Sequence, residues 1–206
     1  MRRTLPMLAL ATLFASAPLF AQETQPTQPA TTQPKEGSAN DRREDQQQRI
    51  ANGVQSGQLT AGETKNLESR ESNLNREIKD DRQANGGKLT AQERKQVNRQ
   101  QNNLSKSIYQ DKHNANVAHY GNNEVGQRRE NQQDRIAQGI RSGQMTAGEA
   151  ARTENREQGI NQQVHADRQA NGGKLTPAEK KQINKEQNGA SRQIYRQKHN
   201  NKVAPK

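Results

Sequence analysis

The chain has no cysteine and no tryptophan among its 206 residues. Without thiols it has no disulfide framework, no thiolate metal site and no cysteine to carry a lipid. Its two phenylalanines, Phe14 and Phe20, sit near the N-terminus, and beyond them the aromatics are Tyr109, Tyr120 and Tyr195. Hydrophobic residues make up 27% of the chain. That excludes a thick globular core and predicts an elongated, oligomeric or partly disordered protein. Lys and Arg number 33 against 22 Asp and Glu, a net charge of +11 that favours acidic partners.

The longest apolar run, Leu5 to Phe20, follows Arg2 and Arg3 and is too short to span a bilayer comfortably; Ala21 and polar sequence come after it. This layout predicts a signal peptide over 1–21, hence an exported, periplasmic or secreted protein with no transmembrane span in the mature chain. Loss of Arg2 and Arg3 with the leader lowers the net charge to +9. Residues 22–40, "QETQPTQPATTQPKEGSAN", hold almost nothing that can be buried and are expected to form a disordered, extended spacer.

From Arg42 onward the chain repeats itself at an offset of 86 residues, and 42–118 match 128–204 at 44 of 77 positions. This reads as a tandem duplication: repeat 1 over 41–118, a joint over 119–127, and repeat 2 over 128–204. A weaker period of 30 within each copy aligns "SGQLTAGE" with "GGKLTAQE". Four turns share the pattern Gly, any residue, Leu or Met, Thr, two residues, Glu. Thr60, Thr90, Thr146 and Thr176 each stand three residues before Glu63, Glu93, Glu149 and Glu179. Such spacing predicts capping boxes: the Thr hydroxyl accepts from the N3 amide and the Glu reaches back to the N-cap amide. Pro177 fits the first helical position, and Gly57, Gly86 and Gly87 suit a reversal needing positive φ.

Behind each box, apolar residues recur at helical spacing: Leu67, Leu74 and Ile78; Val97, Leu104 and Ile108; Ile160 and Val164; Ile183 and Ile194. The stripe is thin, and Glu71, Gln101, Glu157 and Gln187 fall within it. The expectation is an all-α fold with helices over about 40–55, 61–83 and 91–117, then 126–141, 147–169 and 177–202, forming antiparallel hairpin modules on coiled-coil-like seams. In each copy the middle helix is mildly acidic and the third basic, so the two attract across their flanks. With so few large apolar residues, each module is expected to be marginal alone and to lean on the other or on a partner.

Candidate chemistry is sparse. The turns resemble the second half of an EF-hand loop, but the early ligand positions before Glu63 are Asn52, Val54 and Ser56, and those before Glu93 are Arg82, Ala84 and Gly86. A calcium site needs oxygen ligands, mostly carboxylates, there. "GGKLT" lacks the Gly-Lys-Ser/Thr run and the preceding strand of a phosphate loop. His113, His119, His165 and His199 read as solvated ends of basic helices, with a weak metal site between the copies as the alternative. No nucleophile with a nearby base suggests catalysis, and no cofactor is expected. The last helix is net +7 from Lys174 to Lys206; Lys180, Lys181, Lys185, Arg192, Arg196 and Lys198 form a candidate surface for acidic or unfolded proteins or an anionic envelope surface. Single-stranded nucleic acid is disfavoured, because Tyr195 is the one stacking platform available.

With "SGQLTAGE", "ANGGKLT" and "IYxxKHN" in this order, residues 42–201 resemble exported bacterial repeat proteins, a likeness that implies no activity. More locally, Leu-Thr-x-x-Glu is similar to the Leu-Thr-x-x-Gln motif of basic, all-helical periplasmic stress chaperones. That resemblance implies a cradle-shaped dimer that holds unfolded clients, although Glu63, Glu93, Glu149 and Glu179 stand where that family has Gln. The functional expectation is a non-enzymatic, exported helical binding protein, chaperone-like or stress-related. The alternatives are a cation-responsive protein with degenerate EF-hand-like turns and a structural envelope interaction protein.

Overall fold

A computed structural model describes residues 38–205; the predicted leader and nearly all of the predicted spacer lie outside them. Among the described residues there are six helices and no strand: α1 (Ala39–Gln55), α2 (Ala61–Ala84), α3 (Ala91–Lys112), α4 (Glu124–Ser142), α5 (Ala147–Ala170) and α6 (Pro177–Lys198). α1 starts at Ala39, next to the expected residue 40. Ser38 already caps α1, accepting from the Asp41 amide while the Asp41 carboxylate accepts from the Ser38 N–H.

All four Leu/Met-Thr-x-x-Glu turns are capping boxes that open α2, α3, α5 and α6. Their shared grammar satisfies amides that the first helical turn would otherwise leave without partners. Gly86 and Gly87 lie at φ 64° and 92°, and Gly57 and Gly143 at 71°, where a side chain would be strained. Other glycines serve close packing. A Cβ on Gly53 would meet Leu59 at 2.7 Å, and one on Gly139 would meet Met145 equally closely.

The third helix of each copy is shorter than its sequence periodicity suggests. α3 ends at Lys112 and α6 at Lys198, not at 117 and 202. At each end a histidine ring stacks on the tyrosine one turn earlier at 4.2 Å, His113 on Tyr109 and His199 on Tyr195. The next residue then leaves the helix to reach a capping box: Asn114 Nδ2 donates to Glu63 Oε1 and Asn200 Nδ2 to Glu149 Oε1, each at 2.8 Å. The tails run on as straps, with Ala118 N donating to Gly57 O and Ala204 N to Gly143 O. α4 begins at Glu124, inside the predicted joint.

Packing departs from self-contained hairpins. The principal partner of α2 is α5, and that of α1 is α4, so the main seams join the copies. The side chain of Gln158 lies against Gly62, and that of Ser72 against Gly148. These are one contact made twice with the copies exchanged, the mark of a two-fold relation, and they set α2 and α5 antiparallel. The central core draws on both copies, with Ile50, Ala51, Leu67, Leu104 and Ile108 from one and Ile136, Ala137, Ala150 and Ile194 from the other. Leu74, Ile78 and Val97 form a small outer cluster in copy one; Ile160, Val164, Ile183 and Ala190, with Val125, form its counterpart in copy two.

Glutamine replaces apolar bulk between α1 and α3 and between α4 and α6. Gln46 Nε2 donates to Gln101 O and Gln132 Nε2 to Gln187 O, both at 2.7 Å; Gln101 and Gln187 in turn donate to Ala39 O and Val125 O. All four side chains are buried. The side-chain oxygens of all four glutamines are buried without partners, a cost that offsets the about 1 kcal/mol each bond contributes. The bonds therefore fix the direction of these seams more than they add stability. The flank contacts between α2 and α3 are Gln96 and Gln100 donating to Glu77, and Arg70 donating to Ser107.

Candidate functional site

Arg43 on α1 and Arg129 on α4 occupy corresponding places, each facing the later half of the following helix. Arg43 is 5% exposed and donates to the side-chain oxygens of Asn75 and Asn40, which are neutral acceptors. Arg129 lies 5.4 Å from the ring centroid of Tyr120 and keeps a buried Nε without a hydrogen-bond partner. Burial lowers the pKa of both guanidiniums; Glu71 opposes this at Arg43 and Glu157 at Arg129, while Arg82 and Arg168, respectively, lower it further. Burial also pushes the Tyr120 hydroxyl up, well beyond the ordinary phenol range.

Each arginine borders a cleft. In copy one, Arg43, Asn75, Lys79, Arg82 and Gln83 surround about 470 Å³, with Pro205 of the second strap on the rim. In copy two, Arg129, Asn161, His165, Arg168 and Gln169 surround about 520 Å³, with His119 of the first strap on the rim. The two linings correspond residue for residue at the 86-residue offset. The second cleft also shares His119, Arg129, Asn161 and His165 with a neighbouring cavity of about 490 Å³, which Tyr120 and Glu157 help to line.

Behind the clefts, along the α2–α5 seam, lie four buried carboxylates: Glu68, Glu71, Glu154 and Glu157. Gln47 donates to Glu68 and Gln133 to Glu154; both oxygens of Glu71 and one on each of the other three lack a partner. Burial, the largest influence on each, raises Glu71 and Glu157 to about 7 and Glu154 to about 8, and holds Glu68 well above the usual carboxylate range. Glu71 and Glu154 reinforce the shift at Glu68, and Glu157 that at Glu154, whereas Arg43 opposes it at Glu71 and Arg129 at Glu157.

The glutamates of the predicted caps are committed to structure. Glu63 Oε2 accepts from the Thr60 amide and hydroxyl, and Oε1 from Asn114 and Asn116. Burial opposes charge on Glu63, but these bonds outweigh it and hold its pKa below the usual range. Glu149 repeats the pattern with Thr146 and Asn200. Glu93 and Glu179 accept from the Thr90 and Thr176 amides and from Asn85 and Asn171, and their pKa values fall with the backbone bond as the chief cause. None of the four is left to complete an EF-hand-like loop.

On α6, Lys180, Lys181, Lys185, Arg192 and Arg196 are exposed, and Tyr195 stands 62% exposed beside Arg192 and Arg196. Lys198 is the member drawn away, donating to Gln138 Oε1 on α4. The histidines do not share one role. His113 and His199 close helices, whereas His119 and His165 meet in the second cleft beside Arg129 and Arg168. Among the described residues no three His, Asp or Glu side chains are grouped to hold a metal ion, and no helix is long and apolar enough to cross a membrane.

The arginines of the clefts and the carboxylates Glu68 and Glu154 were not legible as a site from sequence periodicity. A signal existed in the copies themselves. Across 64–80 only Glu68, Arg70, Glu71 and Asn75 recur unchanged at the 86-residue offset, and three of these four belong to the tetrad or a cleft. No family model, curated protein or solved structure matches the chain.

Proposed function

We propose that the protein is a non-enzymatic, exported helical binding protein that holds acidic or unfolded protein partners on the basic face of α6. The observation that carries this reading is the exposed row Lys181, Lys185, Arg192 and Arg196, with Lys180 alongside and the open Tyr195 ring within it. Basic side chains attract an acidic client from a distance, and the apolar body of Tyr195 offers it a contact on arrival. The self-satisfied capping turns weigh against the cation-responsive alternative, because their carboxylates already have partners. Aggregation suppression tests the reading. The mature chain, residues 22–206, is mixed in equimolar ratio with a heat-unfolded acidic client at low and high salt. Suppression at low salt that fades at high salt, and that fails in a Lys181→Gln/Lys185→Gln/Arg192→Gln variant, is the expected result. No suppression at either salt overturns the reading and leaves a dedicated envelope interaction protein.

A further inference from the structure

We infer that the paired clefts behind Arg43 and Arg129 are two equivalent binding sites for a small oxyanionic ligand carrying a phosphate or carboxylate group. Each cleft brings together two arginines from different helices, Arg43 with Arg82 and Arg129 with Arg168, and a side-chain amide, Asn75 or Asn161. The arginines of a pair are close enough for the outer one to disfavour the charge of the inner one. Two guanidiniums held together in a half-enclosed space repel unless an anion lies between them, and the planar fork of each matches an oxyanion with two parallel hydrogen bonds.

The buried carboxylates do not fill this role. Neither oxygen of Glu71 accepts a hydrogen bond from Arg43, and one oxygen of Glu157 has no partner, so Glu71 does not grip its arginine and Glu157 does not fully occupy its own. Arg43 spends its donors on neutral amides, and the Arg129 Nε has no partner. In copy one the cleft sets Arg43, Arg82 and Lys79 against Glu71; in copy two Arg129 and Arg168 stand against Glu157, with His165 in the place of Lys79. The excess is positive in both.

A second line of support comes from the pattern of change between copies. Arg43, Asn75, Arg82 and Gln83 recur as Arg129, Asn161, Arg168 and Gln169, and the cleft positions Ile78 and Lys79 become Val164 and His165, while the exposed Arg76 and Asp80 on the same helix turns become Gln162 and Ala166. Arg82 and Gln83 belong to the run 81–90 that recurs unchanged as 167–176; capping and turn formation account for Gly86, Gly87 and Thr90 in it, and a ligand in the cleft accounts for Arg82 and Gln83. The volumes, about 470 and 520 Å³, suit a small molecule.

The test uses the full chain and three probes at equal ionic strength: inorganic phosphate, succinate and chloride. Thermal unfolding reads stabilisation and calorimetric titration reads stoichiometry. Phosphate or succinate, whichever group the clefts take, should raise the unfolding midpoint beyond chloride and bind at two sites per chain. Arg168→Gln should leave one site, and Arg82→Gln/Arg168→Gln should weaken binding at least tenfold while preserving the helical circular dichroism of these half-exposed positions. The α6 variant Lys181→Gln/Lys185→Gln/Arg192→Gln should bind that same anion as before, which separates this inference from the client-holding reading. Equal effects of all three anions, or binding lost in the α6 variant and kept in the double arginine variant, would overturn it.

Discussion

Raising the pH from 5 to 8 should weaken this protein, although it brings a strongly basic chain closer to neutrality. The perturbation acts on Glu68, Glu71, Glu154 and Glu157, sealed between α2 and α5. In the unfolded chain a glutamate titrates near 4.5; in the fold Glu71 and Glu157 do so at about 7 and Glu154 at about 8. A raised folded pKa means the native state binds the proton more tightly. The stability this contributes is full below about pH 4.5 and is lost as pH rises through 7 and 8. At about 1.4 kcal/mol per pKa unit, Glu71 or Glu157 alone accounts for on the order of 3 kcal/mol and Glu154 for on the order of 5. Those are large parts of the ~5–15 kcal/mol that holds a typical domain together. The overall charge pulls the other way, since a chain at +11 repels itself more as its carboxylates are protonated. A decline with rising pH runs against that trend, and a variant of a buried glutamate assigns it to the seam. Urea unfolding followed by circular dichroism at pH 5, 6, 7 and 8, at fixed ionic strength, measures it. The midpoint should fall steadily across the series, and Glu154→Gln should flatten the decline and raise the midpoint at pH 8, because Gln133 can still donate to the new amide oxygen. A midpoint that is level or climbs from pH 5 to 8 refutes the reasoning, as does a decline that Glu154→Gln leaves unchanged.

Two further outcomes follow from the shared core and the straps. Ile50→Ala, at a fully buried position in the cluster that both copies build, should cost ~2–5 kcal/mol; calorimetry should still show one transition, and two separate ones would contradict the shared core. Thr60→Ala should be more damaging than Thr90→Ala, which removes an exposed cap worth ~1 kcal/mol. Glu63 anchors Asn114 and Asn116 as well as its own box, so Thr60→Ala should also speed tryptic cleavage after Lys112, and equal loss in both variants would argue against the strap.

Where the helices begin was legible because the information is local. A threonine with a glutamate three residues on satisfies amides within a single turn, and no distant residue needs to be known. Where α3 and α6 end was not, because Asn114 and Asn200 leave the helix to reach Glu63 and Glu149, 51 residues earlier in each copy. The thin apolar stripe located Leu67, Leu74 and Ile78 on one face, yet Leu67 joins the core between copies while Leu74 and Ile78 pack within their own. Residues on one stripe can have different neighbours, and only the packing tells which.

The amino-acid order by itself determined an all-helical chain with two matching halves, four self-capped helix starts and a thin apolar stripe. Each of these rests on contacts a few residues apart or on composition. Tertiary structure decided that α2 meets α5 rather than closing a private hairpin, and with that it buried Glu68 and Glu154 at the seam. It also set Arg43 beside Arg82 and Arg129 beside Arg168. The physical reason is that burial and charge proximity belong to pairs of surfaces: a glutamate on a polar helix acquires a raised pKa, or an arginine a neighbour of its own sign, only once another helix has covered it.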